Sequence, residues 1–293
     1  MRLTDLWKNN KQPTISFELF PARNASAAEK LEQSIDDLKA LNPDFVSVTF
    51  GAGGSTREGS LQLIKKLQNE KNLNVVAYFA GYGLPPDDII SVMDSYKEAG
   101  IETILVVRGD EPHGQENFKP HPYSLKHASD LLLFIANKYN FCTGAAGYPE
   151  GHIEAESKDK DLEYLKLKVY NGAQFIISNY FYDNHFFFDF VLRCKKIGID
   201  VPILPGVMPI YSLKMMKTLA NLCGSTITEE LNQKLSNLPE NDKAALEEFG
   251  IEFATEQCRE LIKTGVPGIH IYTMDRSNSA VEIIKKLRRE KVL

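Results

Sequence analysis

The segment "ISFELFP", residues 15 to 21, alternates as an extended chain does: Ile15, Phe17 and Leu19 fall on one side, Ser16, Glu18 and Phe20 on the other. Behind it, "NASAAEKLEQSIDDLKAL" repeats Leu31, Ile35, Leu38 and Leu41 at helical spacing after a Ser26–Glu29 capping-box pattern. The pair of short apolar strand and amphipathic helix then recurs. "DFVSVTF" (44 to 50) leads through "GAGGST" to a helix carrying Leu61, Ile64 and Leu67. "NVVAYFAG" (74 to 81) leads to "PPDDIISVMDSYKEAG", whose Asp87 and Asp88 suit a helix N-terminus. "ETILVVRGD" (102 to 110) and "CTGAAGYPEGH" (142 to 152) predict strands four and five, with helices around 123 to 139 and 160 to 171. "AQFIISNYFYD" (173 to 183), "VPILPGVMP" (201 to 209) and "GIHIYTMDR" (268 to 276) predict strands six to eight, and a helix from about 278 to 290 follows. Gly100, Gly172, Gly198 and Gly265 each stand just before a strand, where a helix needs a left-handed end.

Short apolar strands, eight of them alternating with helices and covered on both sides, predict the α/β class: a single parallel (β/α)8 TIM barrel spanning 1–293. An open doubly wound sheet would alternate too, but no strand is followed by the G-x-G-x-x-G of a dinucleotide fold. The irregular stretch 221 to 257 reads as an extra helical insertion before strand eight.

Composition narrows the function classes. With 293 residues, 43% hydrophobic and 25% charged, the chain can bury a substantial core, and its net charge of −5 argues against nucleic acid as a partner. No stretch approaches the length of an uncharged membrane span and the start lacks an apolar leader, so the expectation is a cytoplasmic protein with no membrane partner. Cys142, Cys194, Cys223 and Cys258 lack metal-ligand spacing and read as reduced thiols.

In such a barrel the chemistry gathers at the carboxyl ends of the strands. The polar residues there are Glu18, Thr49, Tyr78, Arg108 with Asp110, Tyr148 with His152, Asn179, and Tyr272 with Arg276. A carboxyl facing the barrel mouth should hold its proton toward neutral pH and could serve as a general acid; the plainer alternative for Glu18 is an ion pair with a neighbouring Arg or Lys. Arg108 and Asp110 suit phosphate or ribose oxygens and polar ring edges, or else a local ion pair in a turn. "GAGGST" offers a phosphate cradle or simply a turn. Glu150, His152, Glu154 and Glu156 alternate, but one His among loop carboxylates is a poor metal set, and no metal is expected. Lys168 could reach a phosphate or lie in solvent, "KDKD" (158 to 161) reads as a hydrated helix face, and "HFFFDFVLRC" (185 to 194) as core aromatics. A Schiff-base aldolase would need a strand-interior lysine, which none of the strands offers.

Taken together, "SFELFP", "FVSVTFGAGGSTRE", "VVRGDEP", "AAGYPEGHIE", "PILPGVMPI" and "IHIYTMDR" resemble the methylenetetrahydrofolate reductases, over nearly the whole chain and in family order. The resemblance implies FAD as cofactor, NADH or NADPH as co-substrate, methylenetetrahydrofolate as substrate, ping-pong hydride transfer and a homo-oligomer. It implies Glu18 as general acid and Asp110 as the aspartate beside the flavin. It implies flavin contacts at Thr49, Tyr78, Arg108, Gly109, Asp110, Ala128, Tyr148, His152, Asp161 and Lys168. Folate contacts would come from Glu18, Asp110, Asn179, Met215, Leu219, Tyr272 and Arg276. Tyr78 stands where the family usually has His, Asn179 where it has Gln, and Tyr164 and Leu167 replace polar positions. These departures leave a flavin-independent folate reductase, or a folate- or flavin-binding homologue with reduced turnover, as the alternatives.

Overall fold

The computed structural model describes residues 1–9, 12–51, 54–111, 118–240 and 242–293, with the side chains of residues 9 and 54–56 excepted. Eight parallel strands run in chain order around a closed barrel: β1 (Thr14–Leu19), β2 (Phe45–Val48), β3 (Val75–Ala80), β4 (Thr103–Val107), β5 (Cys142–Gly147), β6 (Phe175–Tyr180), β7 (Ile203–Val207) and β8 (Gly268–Tyr272). β8 pairs with β1, so the barrel has no sheet edge. The helices are α1 (Leu3–Asn9), α2 (Ala25–Lys39), α3 (Gly54–Asn69), α4 (Pro86–Glu98), α5 (Ala128–Ala136), α6 (Lys158–Tyr170), α7 (Asn184–Lys196), α8 (Leu213–Cys223), α9 (Glu229–Ser236), α10 (Lys243–Lys263) and α11 (Ser277–Arg289).

The alternation of "ISFELFP" becomes two environments. Ile15, Phe17 and Leu19 pack outward into the layer between sheet and helices, in one cluster with Ile35, Leu38, Ile283 and Ile284. Ser16 and Glu18 turn into the barrel, where the lower half is filled by Phe45, Val76, Leu105, Phe175 and Leu204. The short helix α1 closes that lower end: Leu3 is buried, its N–H donates to Thr103 Oγ1 at 3.0 Å, and Trp7 meets Phe175 edge-on. Nothing in the local pattern signals this helix; it is held by what it covers.

Several boundaries differ from the sequence expectation. The cap of α2 is Asn24, whose Oδ1 accepts from the Ala27 N–H at 2.9 Å; Ser26 already lies inside the helix, so the Ser26–Glu29 box is not the cap. The additions before β8 begin earlier than 221: α8 and α9 are the extra helices, while α10 packs against α7 and α11 as a member of the ring. α5 starts at Ala128 rather than near 123. Phe187 and Phe190 are core as expected, and Gly100, Gly172, Gly198 and Gly265 all take positive φ. Among the described residues no helix is long and apolar enough to cross a membrane, and all four cysteines are free.

Candidate active site

Glu18 is the penultimate residue of β1, 5% exposed, and among the described residues no cation pairs with it. Burial pushes its carboxyl up to about 8; the Tyr78 hydroxyl opposes this by hydrogen bonding to the charged form, and the Asp275 carboxylate adds to it. The ion-pair alternative for Glu18 therefore does not describe it. Its backbone is fixed by the β8 end: Thr273 Oγ1 donates to the Glu18 carbonyl at 2.6 Å, and Asp275 Oδ1 accepts from the Phe20 N–H at 3.1 Å.

Beneath Glu18 lies a polar layer. His270 points inward from β8, with Nδ1 2.8 Å from Ser16 Oγ and Nε2 3.4 Å from Ser47 Oγ and 3.5 Å from the Tyr78 hydroxyl. Its ring stacks on Phe45 and meets Tyr272 edge-on. Burial lowers its pKa to about 3, so the imidazole is neutral. This bears on the state of Glu18, because a positive charge in this layer would favour the charged form of its carboxyl. Reasoning from sequence alone misses His270 and Asp275. The first is findable, since it shares in "GIHIY" the inward parity that Glu18 has in "ISFEL".

Two cavities open at the carboxyl ends on either side of β4. The first, about 350 Å³, is lined by Thr49, Phe50, Tyr78, Tyr82, Gly109 and Asp110 among others. The second, about 370 Å³, is lined by Arg108, Ala128, Tyr148, His152, Asp161 and Lys168 among others. Val107 borders both. Gly109 takes φ +86°, a turn only glycine makes without strain, and a Cβ there would sit 2.9 Å from that of Ala80. This turn sends Arg108 to the second cavity and Asp110 to the first. The ten residues expected around a flavin thus line two adjoining cavities.

The second cavity gathers two cations. Lys168 is not solvated: its Nζ turns inward to donate to Ala146 O at 3.0 Å, burial lowers its pKa, and Asp161 opposes that. Asp161, expected on a hydrated face, is buried beside it. Arg108 pairs with Glu154 rather than locally with Asp110. Glu150 accepts from the Thr226 N–H and Glu156 from the Tyr164 hydroxyl, so the alternating acids diverge. Ala52 and Gly53 of "GAGGST" lie outside the described residues, as do the side chains of 54–56, and the phosphate-cradle expectation lies there with them.

The residues expected on the folate side cluster less tightly. Tyr272 donates from its hydroxyl to Ser178 O at 2.9 Å and is the register partner of Glu18. Asn179, half-buried, adjoins the thiol of Cys223. Arg276 is exposed, with its guanidinium 5.4 Å over the Tyr211 ring. Leu219 packs with α8 and α9 against Tyr180 and Met208, and Met215 is half-buried one turn earlier on α8.

The family model described as methylenetetrahydrofolate reductase matches residues 2–288. The chain belongs to that family. "Methylenetetrahydrofolate reductase (NADH) 1" of Arabidopsis thaliana is 37% identical over 287 residues, 94% of this chain and 48% of that protein. The "5,10-methylenetetrahydrofolate reductase" of Escherichia coli strain K12 is 33% identical over 276 residues, 94% of this chain and 91% of that protein. The chain therefore spans about half the length of the plant reductase and nearly all of the bacterial one. A solved structure, an uncharacterised Clostridium thermocellum protein described as binding two copies of 5-methyl-5,6,7,8-tetrahydrofolic acid, aligns with TM-score 0.65 over 99% of this chain and 100% of that one. At 17% identity that likeness is one of fold.

Proposed function

We propose that this member of the methylenetetrahydrofolate reductase family reduces 5,10-methylenetetrahydrofolate to 5-methyltetrahydrofolate, with NADH or NADPH as the reductant and FAD in the two cavities beside β4. The observation that carries the reading is Glu18, a buried carboxyl that holds its proton to about pH 8 and is hydrogen-bonded by Tyr78, a residue of the first cavity's lining. The cavities suit FAD in size and chemistry. Aromatic walls with Thr49 and Asp110 suit a flat ring with polar edges, and Arg108 and Lys168 in the adjoining space suit a diphosphate. When bound there, a flavin supplies the hydride it has taken from the nicotinamide.

The protein's own part is the proton. The bridging methylene of the folate accepts hydride only after one of its two C–N bonds opens, and the departing nitrogen needs a proton to leave. Glu18 delivers it, and the carboxylate left behind is steadied by the Tyr78 hydroxyl, which already favours the charged form. Neutral His270 keeps the floor of the site free of positive charge, so Glu18 is protonated again near neutrality. The Asp110 carboxylate lies at the first cavity and favours the cationic folate formed on opening.

An anaerobic titration tests the reading. Protein loaded with FAD should lose its visible colour on adding NADH or NADPH and regain it on adding methylenetetrahydrofolate. A preparation that takes up no FAD yet reduces the folate would overturn the flavin assignment. One whose reduced flavin ignores the folate would overturn the substrate.

A further inference from the structure

Arg108 reaches the second cavity from the end of β4, and its guanidinium is gripped by Glu154 through both terminal nitrogens: Nη1 to Oε2 at 2.6 Å and Nη2 to Oε1 at 3.2 Å. Its Nε donates to Gly109 O at 3.1 Å, and the group lies 5.9 Å over the Tyr82 ring. Two parallel N–H···O bonds are the fork that a guanidinium also offers a phosphate, so the Glu154 oxygens stand where phosphate oxygens would. Lys168, the other cation of this cavity, is engaged as well, by Ala146 O and the charge of Asp161. The acids are not interchangeable. Asp161 is buried, whereas the Glu154 side chain is 56% exposed on the loop between β5 and α6 and can swing into solvent without disturbing a strand or helix.

We propose that Glu154 is a resident anion of the second cavity: it holds the Arg108 fork in phosphate-binding geometry while the cavity is empty and must leave when a diphosphate ester enters. This rests on reading the cavity as the phosphate end of a dinucleotide site. The exchange replaces one anion with another on the same arginine, so the phosphate contact by itself adds little. Free phosphate binds poorly for that reason. A ligand that also covers Tyr148, Ala128 and Leu167 gains the apolar burial that free phosphate lacks. Glu154 thereby sets a threshold of affinity that favours a long ligand over small phosphate compounds.

The test measures binding of FAD, by quenching of its fluorescence, and of ADP and inorganic phosphate, by calorimetry, to the full chain and to Glu154→Gln. The amide keeps the shape but surrenders the charge, so ADP and FAD should each bind at least about fivefold tighter to the variant. Glu156→Gln, on the same loop but bonded to Tyr164 instead of Arg108, should match wild type. Unchanged or weaker ADP and FAD binding by Glu154→Gln would overturn the inference and leave the cavity reading standing. Equal tightening by Glu156→Gln would also overturn it, since the effect would then be one of general charge. If neither protein bound FAD or ADP, the dinucleotide reading would fall with it.

Discussion

Glu18 and Tyr272 face each other in register across the seam where β8 closes the barrel onto β1. The acid is thus placed by the closure itself, with Thr273 from the same seam holding its carbonyl. A residue positioned by strands keeps its geometry better than one carried on a loop.

A carboxyl buried without a cation makes stability depend on pH with a definite sign. Its folded pKa of about 8 exceeds the ordinary 4.5, so the folded state binds the extra proton between those values and stability falls as pH rises through that window. Glu18→Gln removes the effect. Its unfolding free energy relative to wild type should rise by about 2–3 kcal/mol between pH 6 and pH 9. Denaturant melts at the two pH values check this; a constant difference would mean that the carboxyl is not perturbed.

Tyr78 acts on the same group in the opposite direction. Its hydroxyl favours the carboxylate, so Tyr78→Phe should move the Glu18 pKa further up and carry the alkaline fall of folate-dependent kcat/KM to higher pH. A pH profile reads this, and a shift to lower pH would contradict it.

Gly206 of β7 shows how tightly the upper barrel is packed. A Cβ there would lie 2.2 Å from Ser178 O and 2.5 Å from the Tyr272 ring, and a backbone carbonyl cannot move aside as a side chain can. Gly206→Ala should lower stability by about 2 kcal/mol or more and displace Tyr272. Gly100→Ala, where φ is +74° and nothing lies within 4 Å, should lose about 1 kcal/mol. Thermal melts of the two variants give the comparison, and equal losses would contradict it.

The strands were legible because each is a short, mostly apolar run, and Glu18 was legible because its charge interrupts such a run at an inward position. His270 obeys the same parity but draws less notice, being neutral and enclosed by hydroxyls and rings. Other features depend on tertiary partners that local sequence does not encode. α1 exists because Leu3 and Trp7 plug the lower barrel. Periodicity shows that several helices follow β7 but cannot say that α10, not α8, joins the ring. The direction of Lys168 follows from a carbonyl on β5 within reach of a flexible side chain. Asn24 and Ser26 are both good caps, and only the path of the chain into α2 distinguishes them.

Proton donation by Glu18 is tested by separating the two half-reactions of Glu18→Gln with anaerobic stopped flow. Reduction of bound FAD by the nicotinamide should stay near the wild-type rate, while reoxidation by methylenetetrahydrofolate should slow by a factor of about 100 or more, roughly 2.7 kcal/mol. Equal slowing of both, or a reoxidation rate that does not change, would contradict the assignment of Glu18 as the proton donor.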